Sequence, residues 1–178
     1  MAAKISLGKD EIYKSVRAYL KTLFAPESNI SIVVSEQNRV SMPPYPYIVM
    51  RIENQRMTKM PETRYLENQN NSIEMASNIT LNVQFCGQQA MSMAEIVAGT
   101  FATSYASDCF AQISQNVYPL YAQSAIKLPW VDESAQFVEK YTLNLVFEFH
   151  TNITLPGQTA LELQAGLSNG EQITIKSV

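Results

Sequence analysis

Residues 36–52, EQNRVSMPPYPYIVMRI, carry the chain from a polar run holding three prolines directly into alternating apolar residues. Proline donates nothing to a sheet ladder and steers the residue before it away from helix. Met42-Pro43-Pro44-Tyr45-Pro46 is therefore an extended, stiffened approach that aims the chain into a sheet. Ile48, Met50 and Ile52 fall on one face of the strand it reaches, and Tyr47, Val49 and Arg51 on the other.

Upstream, Lys9 to Phe24 carries Ile12, Val16, Tyr19, Leu20 and Leu23 at helical spacing and stops before Ala25-Pro26, which predicts an amphipathic helix with one buried stripe. The β-branched run Ile30 to Val34 predicts a short first strand. Downstream, Ile73, Met75, Ser77, Ile79, Leu81, Val83 and Phe85 alternate with polar or small residues through Cys86, the pattern of a long half-buried strand. Phe137, Tyr141, Leu143, Leu145, Phe147 and Phe149 repeat it up to His150, and antiparallel pairing is implied. Between these strands, Met93, Val97, Phe101, Tyr105 and Cys109 recur every four residues, which predicts a central helix over Gln89–Gln115 with a break near Gly99 or Ser107-Asp108. Val117 to Ile126, interrupted by Pro119, is an expected edge strand, and Pro129-Trp130 with Asp132-Glu133-Ser134 an expected turn. After His150, Gly157, Gly166 and Gly170 punctuate a segment whose Ser168-Asn169-Gly170 suits a hairpin. The expected fold class is α+β: a mostly antiparallel β-sheet packed by an N-terminal helix and a central helix, with a long hairpin. A single domain is expected over residues 1–151 and a C-terminal extension over 152–178, either an arm docking on a neighbour or a strand pair added to its own sheet.

At 178 residues and 46% hydrophobic content, the chain is long enough to bury one core. A net charge of −3 with 16% charged residues supplies no broad cationic field, so non-specific nucleic-acid binding is disfavoured as a main occupation. No run is apolar enough to span a bilayer, and the N-terminal residues lack the apolar core of a secretory signal, so no membrane partner and a cytosolic setting are expected. Cys86 and Cys109 read as packing thiols, and the four Asn-X-Ser/Thr matches carry no processing role in such a setting.

The residues offer no chemistry to build an enzyme on. His150 is the single histidine and is expected at a solvated strand end. No CxxC spacing suits zinc, and no nucleophile elbow or phosphate-binding glycine loop occurs. No catalytic residue, cofactor or metal is expected. The connection Gln55–Ser72, QRMTKMPETRYLENQNNS, is longer than ordinary hairpin loops and interleaves Arg56, Lys59 and Arg64 with Met57, Met60, Tyr65 and Leu66. Adaptable methionines beside Tyr and Arg suit a protein-binding surface; a solvated loop with its apolar residues tucked back is the alternative. Asn78, Thr80, Asn82 and Gln84, with Thr142 and Asn144, form a polar, weakly charged strand face. Such a face suits protomer contacts, because neutral groups cost less to desolvate than charges, while plain solvent exposure is the simpler explanation.

The order strand (Ile32–Val34), Gln37-Asn38, Pro43-Pro44, then Pro46-Tyr47 opening a hydrophobic strand resembles the start of phage neck or tail-terminator proteins. The likeness continues through a long hairpin, a helix, Pro129-Trp130 and the strand Phe137–His150; the segment 151–178 has no counterpart. The resemblance implies a structural virion protein at the tail–neck junction, assembled in the host cytoplasm. It would form a homo-oligomeric ring, usually hexameric, that caps the tail tube, contacts the tube protein, joins it to the head connector or another neck protein, and leaves a channel for DNA. Arg51, Arg56, Lys59, Met60, Arg64 and Tyr65 are placed at its protein interface, and Pro43, Pro44, Pro46 and Tyr47 are the structural residues that fix the approach to the sheet. Another tail or baseplate accessory protein is the alternative, with a hydrolase of unrecognised active site behind it.

Overall fold

The computed structural model describes residues 4–5, 8–24, 29–35, 41–65, 70–131, 137–156, 162–166 and 172–176. The expected turn at Asp132-Glu133-Ser134, the Gln37-Asn38 pair and the Ser168-Asn169-Gly170 turn lie outside them. In chain order the elements are β1 (Lys4–Ile5), α1 (Lys9–Phe24), β2 (Ser31–Val34), β3 (Tyr47–Met57), β4 (Glu62–Tyr65), β5 (Asn70–Cys86), α2 (Ala90–Phe101) and α3 (Ser104–Ile113). They continue as β6 (Val117–Ala122), β7 (Ile126–Leu128), β8 (Lys140–Pro156), β9 (Glu162–Gly166) and β10 (Gln172–Lys176). The protein is α+β, with helices packed on one face of a mostly antiparallel sheet.

The sheet is organised by β5 and β8. Each has 17 residues, and they pair without a register shift from Asn70 opposite Pro156 to Cys86 opposite Lys140. At about 3.3 Å per residue such a pair is roughly 55 Å long, more than a core of this size covers. β3 and then β4 occupy successive stretches of the outer edge of β5, while β7, β6 and β1 occupy the outer edge of β8. β2 runs parallel to the first residues of β3, the one parallel pair among those of the described strands. Tyr45-Pro46, immediately before β3, is a cis peptide.

Strict alternation decides what is buried. Cross-strand rows Met50–Val83–Leu143, Ile52–Leu81–Leu145 and Ile48–Phe85–Tyr141 line the helix-side face. α1 covers it with Ile12, Val16, Tyr19 and Leu20, and α2 and α3 with Met93, Val97, Phe101 and Phe110. Tyr19, Phe101, Phe110 and Phe147 meet edge-on or tilted, with ring centroids 5.1–6.1 Å apart. Aromatic pairs in such geometry add about 0.5–1.5 kcal/mol each beyond the area they bury. The Tyr19 hydroxyl meets Thr100 Oγ1 at 2.8 Å, which gives its polar end a partner inside the helix layer.

Two expectations change. The central helix is two helices, broken at Ala102–Thr103 and at neither position the sequence pointed to: Thr103 is extended (φ −103°, ψ 167°) and its hydroxyl donates to the Thr100 carbonyl at 2.6 Å. That reversal lets Phe110 fold back onto Phe101 and Tyr19, a tertiary gain that helical periodicity does not register. The supposed loop Gln55–Ser72 is largely strand. β3 reaches Met57, β4 resumes at Glu62, and the two β5 residues Asn71 and Ser72 already pair with β4. β8 likewise runs past His150 to Pro156, so residues 152–156 stand in the main sheet.

Candidate functional site

The face of the sheet opposite the helices has no helix on it among the described residues, and its edge along β3 and β4 gathers the basic residues singled out above. Arg51 pairs with Asn82 and Arg56 with Asn78, two residues of the same face of β5. An odd and an even position share a face because the register shifts between Ile52 and Asn54: Glu53 is an extra residue, a β-bulge that inverts the alternation behind it. Arg51 and Arg56 are exposed and carry no ion pair among the described residues.

Arg64 lies further along the same face, opposite Ser72, but is engaged. Its Nη2 meets Glu74 Oε2 at 3.1 Å and its Nε meets Glu62 Oε1 at 3.6 Å. Glu62 and Glu74 are direct cross-strand neighbours, and like charges so placed repel unless a cation sits between them. Lys59 and Met60 occupy the break between β3 and β4. Thr58 anchors that break: its backbone N–H and its hydroxyl both donate to the Ala76 carbonyl at 3.0 Å. Met60 is 94% exposed. Tyr65 ends β4, its backbone paired with Asn71.

The middle of the face is an uncharged amide chain. Gln84 Nε2 donates to Asn82 Oδ1 at 3.0 Å, Asn82 Nδ2 donates to Thr142 Oγ1 and Asn144 Oδ1 at 2.7 Å, and Asn144 Nδ2 donates to Gln123 Oε1 at 3.1 Å. Asn82, expected on a polar surface, is only 7% exposed because its neighbours enclose it. On the far edge Tyr118, Leu120, Tyr121 and Ile126 remain exposed. The sequence missed this apolar edge, although the alternation of β6 around Pro119 was visible. A second bulge between Pro119 and Tyr121 turns Tyr118 and Tyr121 to the same face as Glu148 and Val146.

The proline run behaves as a fixed corner. Tyr47 is buried, its hydroxyl donates to Met42 Sδ at 3.7 Å, and its ring stacks on Tyr45 with centroids 5.2 Å apart. Gly87, just after β5, closes the corner: at φ +122° its missing Cβ would stand 3.2 Å from Pro46 Cα and Cβ. Burial raises the Tyr47 phenol well above its ordinary range, with the facing Cys86 adding to the shift, and burial also raises the Cys86 thiol. Both are thus held neutral and unreactive. Pro43, Met42, Tyr47, Val49 and Gln84 border a shallow concavity of about 260 Å³.

His150 sits at the face with Nε2 3.0 Å from Glu148 Oε1 and its ring 5.2 Å from that of Tyr118. No cluster of three metal-ligating side chains occurs among the described residues. Exposed cations and methionines lie on one edge, exposed tyrosines and aliphatics on the other, and neutral amides between.

No curated protein matches the chain. A family model described as phage neck terminator protein matches residues 10–173.

Proposed function

The chain belongs to the phage neck terminator family, a family of structural proteins of the virus neck, and from that premise we propose that it closes the tail tube as a ring of identical copies and joins the tail to the head connector. The observation that carries this reading is the pair of unlike surfaces at opposite sheet edges. Arg51, Arg56, Lys59 and Met60 lie along β3 and its break, whereas Tyr118, Leu120, Tyr121 and Ile126 lie along β6 and β7. Two different surfaces on one protomer make a head-to-tail contact, and head-to-tail contacts that close by rotation give rings. Arg and Tyr are the residue types enriched where proteins meet, and a guanidinium over a phenol ring adds cation–π attraction.

In this reading the ring is hexameric, its channel passes DNA, and it assembles in the host cytoplasm before taking its place at the tail–neck junction. Arg51, Arg56, Lys59 and Met60 contact a neighbour, the tube or the neck. Arg64, held between Glu62 and Glu74, stiffens β4 beside that contact, and Tyr65 takes part in it at the end of β4. Pro43, Pro44, Pro46 and Tyr47 set the angle at which β3 leaves its corner. The domain runs through the end of β8 at Pro156, past the boundary at residue 151 that the sequence suggested, and the residues after it serve as its C-terminal extension. The mechanism is geometric: a closed ring covers the growing end of the tube and offers the head a surface the tube lacks.

Electron microscopy of intact particles, or of the protein mixed with tail tubes, tests this. Ring density between tube and connector is the expected result. Density at the distal end of the tail, or none on the tube, would replace it with the reading of a tail or baseplate accessory protein.

A further inference from the structure

Phe137 holds its ring out in water, 88% exposed. The backbone around it is tied down. Phe137 bridges Val131, the Val138 N–H donates to the Trp130 carbonyl at 3.1 Å, and the Glu139 carbonyl accepts from the Gly87 N–H at 2.9 Å. The ring is therefore fixed at the end of the sheet where β8 begins, and with Val131 and Ile126, both exposed, it prolongs the apolar edge of β6 and β7. Leaving such a ring in water forgoes the free energy of burying its apolar area.

A receptacle of suitable size exists elsewhere in the fold. Between the start of α1 and the helix-side face of the sheet lies a concavity of about 390 Å³, walled by Ile12, Ile52, Ile79 and Phe149 and bordered by Gly8 and Gln55. A Cβ placed on Gly8 would meet nothing within 4 Å, so that border is clear. Apolar hollows of this volume hold ligands or partner side chains, and aromatic anchors seated in them supply a large share of contact energy.

Phe137 does not reach the hollow of its own chain. β8 pairs with β5 without a register shift from Lys140 to Phe149, nine residues further on, which spans about 30 Å, and the bonds described above keep Phe137 at the Lys140 end. Only a second copy can bring ring and hollow together. Charge favours the same match. Residues 131–139, VDESAQFVE, carry three carboxylates and no cation in sequence. Residues 47–60, which include Gln55 at the border of the hollow, carry Arg51, Arg56 and Lys59 against the single carboxylate Glu53. Arg51, Arg56 and Lys59 have no ion pair among the described residues, and opposite charge guides such surfaces together.

We infer that Phe137 of one copy seats in the Ile12–Ile79–Phe149 hollow of the next, its acidic flanks beside Arg56 and Lys59. This rests on the ring reading and supplies the anchor that links successive members. Ring and hollow lie on different parts of one protomer, so the contact is head-to-tail and repeats around the ring.

The test uses the full chain in a Cys109→Ser background, Cys86 being buried. One preparation carries Gln55→Cys and a second Val131→Cys, which keeps Phe137 intact; both sites are exposed. A short bismaleimide is added to their equal mixture, with and without tail tubes, and to a third preparation carrying both changes. A mixed dimer from the mixture and a ladder of linked chains from the double variant are expected. Adding Phe137→Ala to the Val131→Cys chain should lower the yield of mixed dimer at least about tenfold while the urea midpoint stays unchanged, the ring being exposed. No mixed dimer under either condition, a cross-link confined within single chains, or a yield indifferent to Phe137→Ala overturns the inference. Ring density at the neck without a mixed dimer defeats this contact alone, whereas a mixed dimer with no density at the neck defeats the ring reading.

Discussion

Arg51 and Arg56 point from the same face of the sheet although five positions separate them, because the bulge at Glu53 absorbs one residue between them. Without it, strict alternation would send Arg56 to the helix side, where a guanidinium would meet the layer of Ile79 and Phe149. The bulge therefore turns two scattered cations into one feature of a single face.

Replacing Arg51, Arg56 and Lys59 together with Ser should change unfolding free energy by no more than about 0.5 kcal/mol per site, since all three are exposed and carry no ion pair among the described residues. Joining of heads to tails should nevertheless fall sharply in complementation with the variant. Normal particle yield would remove this edge from the mechanism.

Arg64 should behave differently from those three. Losing it leaves Glu62 facing Glu74 with no cation between them. The side chains are largely exposed, so the cost is modest, about 0.2–1 kcal/mol, and shrinks with added salt. Urea titrations of Arg64→Ser at low and high salt measure it, and Glu74→Gln in that background should recover most of the loss.

Gly87→Ala should cost about 1–3 kcal/mol, because φ +122° strains any L side chain and the new methyl would press on Pro46. The midpoint of denaturant unfolding reads this directly. An unchanged midpoint would mean that the Tyr45–Tyr47 corner yields freely.

Asn82→Ala removes two donated bonds and one accepted bond from the middle of the amide chain. The Gln84, Thr142 and Asn144 groups left behind are only partly reached by water, so a loss of about 1–3 kcal/mol is expected on thermal or urea unfolding.

Stability should decline in alkali. Cys86 and Tyr47 have folded-state pKa values raised above their usual 9.0 and 10.0, mainly by burial. Above those values the unfolded chain releases protons that the folded chain still holds, so unfolding gains as pH rises. The contribution is complete below about pH 9 and disappears as pH climbs through the folded-state values. Urea midpoints between pH 8 and 11 should fall, and more gently in Tyr47→Phe.

What could be read from residue order was whatever depends on neighbours along the chain. Apolar spacing placed α1 from Lys9 to Phe24, alternation placed β5 and β8, and the prolines before Tyr47 placed the start of β3. What depended on contacts across the fold was hidden. The break at Thr103 exists because Phe110 gains by meeting Phe101 and Tyr19, and the apparent loop after Gln55 is strand because β5 extends far enough to pair with it. The shared face of Arg51 and Arg56, the pairing of Arg64 with two glutamates and the enclosure of Asn82 arise from register. Register is set by which strand lies alongside which, and each bulge reverses every side chain beyond it, so no window of sequence contains that information.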